Sequence, residues 1–315
     1  MTQSPPAQII PPHIRQMPDG RLLLVGGNHD VQTMFSADGP PPPAERVAVF
    51  LDNHRQRSAY CAERGIGFGQ WVFPDPIVFS GGFPAGRMRS AFERALPQGA
   101  RPEGLHYPLA LLDGHLDRQN RTDTHYSPIG NMHVAARIVQ QMRGTDLSDR
   151  LAALTAQISA PHSVSGDLGV QCTPPITEMR AAPPRIPGIR TALNGVQSGN
   201  MGIMQLIVSP NADSDRTLLI FGDSFFRMLL PELSRYWRRI VFCRTQFFHA
   251  EMVAAVAPDD ILTGLAERYF ASTRPDAERP HFLAYPLMLG RAMAPDPDFP
   301  ALWDQLIDRR RLAMG

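Results

Sequence analysis

Residues 217–237 read TLLIFGDSFFRMLLPELSRYW, and this stretch decides the fold class. Its first five residues, Thr217–Phe221, form an apolar run bounded by polar residues, the pattern of a buried strand. Phe226, Leu229, Leu230, Leu233 and Trp237 then recur at helical spacing. Between the two runs stands Gly222-Asp223-Ser224, so a serine opens a helix at the carboxyl end of a strand. Open α/β sheets bind their ligands at that place. The unpaired N–H groups of a first helical turn, aided by the helix dipole, favour a developing oxyanion there. Gly222 allows the sharp turn between strand and helix. Serine is also a common helix cap, and the tripeptide by itself does not separate the two roles.

Working outward, strand and helix patterns alternate. RLLLVGG (21–27) reads as a short buried strand, and residues 54–64 read as helical after VAVFL (47–51), a strand or helix start. Phe68–Val72 and Ile77–Phe79 suggest strands separated by the turn Pro74-Asp75-Pro76. Val134, Ala135, Ile138, Val139 and Met142 fall at helical spacing, and Leu151–Ile158 looks helical. Residues 160–200 are loop-rich, with five prolines between 174 and 187, and are expected to run over the surface. Ile240–Cys243 is another apolar strand; Met252–Ala257 suits a helix and Ile261–Phe270 a passage from strand to helix. The alternation predicts a parallel, doubly wound α/β sheet with helices on both faces. At roughly 150 residues per domain the 315-residue chain has room for two domains, yet no internal repeat or second charge regime appears. The expectation is a Pro-rich arm over 1–45, broken by Gly39-Pro40-Pro41-Pro42-Pro43, followed by one α/β domain over 46–315.

Composition narrows the chemistry. Thirty-one basic residues against 30 acidic ones give a net charge of +1, with no electrostatic footprint for nucleic acid or an acidic membrane. No lysine occurs, so every one of the 31 basic residues is arginine, which removes Schiff-base, P-loop and protein-kinase chemistry. Proline, at 31 residues, is close to twice the usual ~5%. Cys61, Cys172 and Cys243 are widely spaced and odd in number, which implies neither a disulfide framework nor a cysteine zinc site. No stretch approaches the ~18 continuous apolar residues of a membrane span. MTQSPPAQIIPPHIRQ lacks a charged start followed by an apolar run. The expected location is the cytoplasm, or the periplasm if a targeting segment is missing.

The second chemical feature is Asp123-Thr124-His125-Tyr126-Ser127-Pro128-Ile129-Gly130. Ser127 and Pro128 make a good N-cap and first-turn pair, so His125 lies on the loop just before a helix. An Asp two residues from a His can fix its tautomer and stabilise the imidazolium. A rival reading uses His106, His115, Asp117, Asp123, His125 and His133 as metal ligands. It lacks HExxH or any spacing that fixes two ligands on one helix face, so no metal or other cofactor is predicted.

The two motifs DTHYSPIG and LLIFGDSFF, in that order, resemble the SGNH-type alginate O-acetyltransferase family (the AlgX/AlgJ-like proteins), which pairs an early DTHW-type motif with a later GDSF-type serine motif. GIGFGQWVFPDPIVF (65–79), Ser165-Gly166-Asp167-Leu168, LLPELSRYW (229–237) and Ala266-Glu267-Arg268-Tyr269 extend the resemblance over residues 46–272. It implies an SGNH-hydrolase-like three-layer sandwich around a central parallel sheet, with Ser224 as nucleophile, His125 as general base and Asp123 as its orienting carboxylate. Two departures stand out: Tyr126 replaces the usual tryptophan, and Asp75-Pro76 stands where a lysine is common.

The function expected is an acyl-ester enzyme acting on carbohydrate, a sugar or polysaccharide O-acetyltransferase that works through an acetyl-enzyme. Its partners would be a carbohydrate acceptor and an acetyl donor, with no nucleic acid and no membrane span. The alternatives are an SGNH-type carbohydrate O-acetyl esterase and a glycan-binding protein with vestigial catalysis. Gly222, Asp223, Tyr126 and Arg244 are candidates for the oxyanion hole or substrate contacts, and Asn194, Asn200 and Asn211 for further oxyanion donors. Glu267-Arg268-Tyr269 is expected to brace the far end of the sheet, and His249 and Glu251 to be solvated polar residues.

Overall fold

The computed structural model describes residues 8–27, 30–79, 88–196 and 199–314. Near the N-terminus, β1 (Ile14–Gln16) and β2 (Leu22–Leu24) form an antiparallel hairpin, followed by the short helix α1 (Val31–Phe35). Met17, Leu23, Val31 and Phe35 pack with Ile77, Met88 and Ala91, so this segment carries a small core of its own against the rest of the chain. Next come α2 (Ala44–Ala62), β3 (Gly67–Phe73), α3 (Pro76–Phe79), α4 (Ala91–Ala95), β4 (Leu105–His106) and α5 (Pro128–Arg143). Further on are α6 (Ser148–Thr155), β5 (His162–Val164), β6 (Glu178–Arg180), β7 (Arg190–Leu193), β8 (Met204–Val208), β9 (Thr217–Gly222), α7 (Ser224–Leu233) and β10 (Arg239–Arg244). The last elements are α8 (Ala250–Val256), β11 (Asp260–Ala266), α9 (Tyr285–Met288) and α10 (Phe299–Leu306).

Seven strands form the central sheet in the order β4-β3-β11-β9-β10-β8-β7. The five from β4 to β10 run parallel, but β8 and β7 are antiparallel additions on one edge. The expected central parallel sheet is present, extended by this antiparallel pair. The extra strands come from the loop-rich stretch before β9, which returns along β10 without a crossover helix. One correction concerns Ile77–Phe79, which is helical and not a strand. Pro76 sits at the first position of that turn, where its missing N–H costs nothing.

β9 is buried along its whole length, as a central strand must be. Its alternate residues face opposite cores. Leu218 and Ile220 join Phe225, Leu229, Val134 and Ile138 under α5 and α7. Leu219 and Phe221 join Met252, Val253 and Leu302 under α8 and α10. α5 starts on Ser127, whose hydroxyl accepts the Gly130 N–H at 3.0 Å, and ends on Gly144 in the left-handed conformation. Among the described residues no helix is long and apolar enough to cross a membrane.

Two glycines bring α7 down onto the sheet. A Cβ on Gly222 would lie 2.5 Å from Phe226 Cδ2, and one on Gly264 would lie 2.6 Å from Phe226 Cε2. Phe226 therefore lies flat across the carboxyl ends of β9 and β11. This contact fixes where the helix begins, and so fixes Ser224.

Candidate active site

Ser224 is the first residue of α7, and Asp223 caps the helix. The Asp223 carboxylate accepts the N–H groups of Phe225 at 2.9 Å and Ala266 at 2.5 Å, tying the helix start to the end of β11. Burial pushes the Asp223 carboxyl above its ordinary range, and those two N–H donors oppose the push. Asp223 and Gly222 thus build the turn that presents Ser224.

His125 sits on the loop entering α5. Asn120 Nδ2 donates to the carbonyls of His125 and Tyr126, both at 3.0 Å, which pins this loop. His125 Nδ1–H donates to Asp123 Oδ1 at 2.7 Å, and the backbone N–H of His125 donates to the same oxygen at 3.0 Å. Both side chains are nearly buried, with 12% and 13% of their surface exposed. The other ring nitrogen, Nε2, is buried and has no hydrogen-bond partner among the described residues. The His125 ring stands 5.0 Å from the ring of Phe225, the neighbour of Ser224. The motifs separated by about a hundred residues are thus brought to one place, although the expected hydrogen bond from Ser224 to Nε2 is not formed in this structure.

The carboxylate of Asp123 is held by more than histidine. Burial opposes its charge, but the hydrogen bonds and charge of His125, with the Arg180 guanidinium 3.8 Å away, keep its carboxyl below the usual range. Arg180 is oriented in turn by Glu178 at 2.5 Å. Glu178 also accepts from Thr122 Oγ1 at 2.7 Å and from the backbone N–H of Arg121 at 2.8 Å, bracing the start of the motif. A loop over 165–168 lies on top. Gly166 is needed there because a Cβ would stand 2.5 Å from Asp123 Cβ. Asp167 accepts the N–H of Thr124 at 2.7 Å and its hydroxyl at 2.5 Å. Its carboxyl is raised by burial and by the neighbouring charge of Asp123.

Sequence reasoning gave Asp167 no role, although the Ser165–Leu168 resemblance marked the segment. Among the described residues, Asp123, His125 and Asp167 each offer a ligand atom within 4.8 Å of the others. Of the histidine-rich set read from the sequence, Asp123 and His125 belong to this trio, whereas His106 lies against the Trp71 ring at 4.5 Å.

The remaining candidates separate cleanly. Tyr126 is buried, donates its hydroxyl to the Pro74 carbonyl at 2.8 Å and packs 5.1 Å from Phe225, so it backs the site. Arg244 ends β10 in register with Gly222 and donates to Asn200 Oδ1 at 2.9 Å. Its Nε is buried without an acceptor, and burial depresses its pKa despite the nearby Asp223. Of the asparagines, Asn194 donates to the Gly202 carbonyl and accepts the Met204 N–H, and Asn211 donates to the Pro187 carbonyl.

Two further expectations are corrected. Asp75, where a lysine was missed, is buried and pairs with Arg268. The brace therefore lies at the Ser224 end of the sheet, with Arg268 5.5 Å over the Phe225 ring. His249 and Glu251 are not solvated but buried, joined at 2.9 Å, and the second His249 nitrogen is hydrogen-bonded to Thr245 Oγ1 at 3.2 Å.

No family model matches the chain, and no curated protein is similar to it. Solved structures are. Bacillus cereus PatB1 with a sulfonyl adduct aligns at 11% identity over 82% of this chain and 97% of that one, with a TM-score of 0.56. A DHHW family protein from Eubacterium siraeum aligns at 14% identity over 85% and 96%, with a TM-score of 0.50. The O-acetyltransferase domain of Pseudomonas putida AlgJ aligns at 14% identity over 89% and 100%, with a TM-score of 0.46. The chain shares its α/β fold, built on a central and mostly parallel sheet, with the DHHW family protein and with PatB1.

Proposed function

We propose that this protein is an O-acetyltransferase acting on carbohydrate, with Ser224, His125 and Asp123 as its catalytic residues. The observation that carries this reading is the His125 ring. Asp123 holds Nδ1–H at 2.7 Å, which leaves Nε2 as the basic nitrogen, buried, without a partner among the described residues and beside the start of α7. A histidine so oriented is a general base awaiting a proton.

In the proposed cycle, Ser224 Oγ attacks the acetyl carbonyl carbon of the donor while His125 Nε2 takes the hydroxyl proton. The tetrahedral oxyanion faces the N–H of Ser224 at the helix start, where the dipole favours negative charge. Collapse breaks the bond to the donor's leaving oxygen, which receives the proton from His125, and leaves Ser224 acetylated. A sugar hydroxyl then gives its proton to His125 and takes the acetyl group, and His125 passes that proton to Ser224 Oγ as the acyl bond breaks, restoring both residues. Asp123 stabilises the imidazolium in both halves of the cycle, and Arg180 steadies Asp123.

Acetyl release from nitrophenyl acetate, measured with and without an oligosaccharide acceptor, tests the proposal. Wild type should release nitrophenol and acetylate the sugar, and Ser224→Ala and His125→Ala should do neither. Release with no sugar product would replace the transferase by an esterase. Full activity in Ser224→Ala would overturn the reading altogether.

A further inference from the structure

A cavity of about 530 Å³ opens between the β7–β8 edge, the α9 region and α10. That volume lies within the ~300–1,000 Å³ of small-molecule sites. Its walls are Met204, Phe282, Leu283, Met293, Phe299 and Trp303. Asn194 also lines it, with its amide donating to the Gly202 carbonyl and accepting the Met204 N–H. Leu283, Leu287, Met288, Leu289 and Met293 are all exposed, half of the large exposed hydrophobic residues in the described chain. Such a concentration of apolar surface marks a binding face, and methionine and leucine side chains adapt readily to a flexible alkyl chain.

The mouth is different in character. Arg309 lines the cavity and is exposed, with Arg310 and Arg311 following it in the same turn. Arg309 pairs with Asp304, and Arg310 and Arg311 share Asp308, so one positive charge of the turn is left over, on Arg310 and Arg311 beside the mouth. We infer that the cavity binds a single-chain amphiphile, an alkyl chain of roughly eight to twelve carbons inside with an anionic head at the arginine turn 309–311. The concave shape selects a monomeric chain, and the charge at the mouth selects the sign of its head. This site is separate from Ser224, and its occupation does not depend on the acyl-transfer reading.

Calorimetric titration of the whole protein with hexanoate, octanoate and decanoate, each below its micelle-forming concentration, tests the inference. Binding should be saturable and one to one, tightening up to about fourfold per added methylene, with acetate silent. Leu283→Glu and Met293→Trp change exposed residues of the rim, so both should fold, and each should weaken decanoate at least tenfold. Arg309→Gln should weaken decanoate but not decanol, and Ser224→Ala should bind as wild type. No saturable decanoate binding, no dependence on chain length, or full affinity in both rim variants would overturn the inference. So would binding confined to anionic phosphatidylglycerol vesicles, and equal effects of Arg309→Gln on acid and alcohol would overturn the assigned head group.

Discussion

Removing the carboxylate of Asp75 should be among the most damaging single changes to this fold. Asp75 Oδ2 accepts the backbone N–H of Arg268 at 2.9 Å, and Oδ1 accepts the guanidinium. The residues are 2% and 5% exposed, so water cannot replace either partner. Asp75→Ala therefore strands a buried guanidinium, and breaking a buried pair from one side costs about 3–5 kcal/mol. Against a total stability of about 5–15 kcal/mol, that removes a large share. Urea unfolding followed by circular dichroism reads it directly. A second substitution that also removes the charge, Asp75→Leu with Arg268→Met, should recover much of the loss, because the stranded cation is then gone. The exposed pair Arg150–Asp213, 3.2 Å apart and 43% exposed on each side, is the control, and Arg150→Ala should cost no more than about 1 kcal/mol. A loss in Asp75→Ala as small as the control's, or no recovery in the double variant, would refute the reasoning.

Three more outcomes follow from the same contacts. Glu267 is held at about 7 by burial, against hydrogen bonds from Tyr107, Phe92 and Ser90. A raised carboxyl contributes most below its unfolded value near 4.5 and loses that contribution as pH rises through about 7. Unfolding free energy should thus fall between pH 5 and 8, by at most on the order of 3 kcal/mol, and Glu267→Gln should flatten the profile. Gly222→Ala forces a Cβ to 2.5 Å from Phe226 and 3.2 Å from the Gly264 carbonyl, so it should cost about 1–3 kcal/mol in thermal unfolding and displace Ser224. Asp123→Asn should keep the fold but lose up to about 10⁴-fold in turnover, measured as initial rates of ester cleavage, because the wrong imidazole tautomer is favoured.

What the sequence carried was local. The run 217–222 has one environment along its whole length, so its period and boundaries appear in the residues themselves. Ser127-Pro128 likewise announced α5 through its own capping chemistry. β7 and β8 were not visible because β8 gains its order from pairing with β10 and the edge strand β7 from pairing with β8, contacts that no local pattern encodes. His249 and Glu251 were misread for a related reason. Polar residues look solvated until tertiary packing supplies partners, here Thr245, the Phe282 N–H and each other. Asp167 and Arg180 converge on Asp123 from 44 and 57 residues away, so only the fold could place them in the site.

The central claim is that Ser224 carries the acetyl group, and intact-mass and peptide mass spectrometry after brief exposure to an activated acetyl ester test it most directly. The account predicts a single acetyl increment on the peptide containing Ser224, absent in Ser224→Ala and slow to form in His125→Ala. It also predicts that the increment disappears when a sugar acceptor is added, with the acetyl group recovered on the sugar. Acetylation spread over other residues, or an increment that persists in Ser224→Ala, would contradict it.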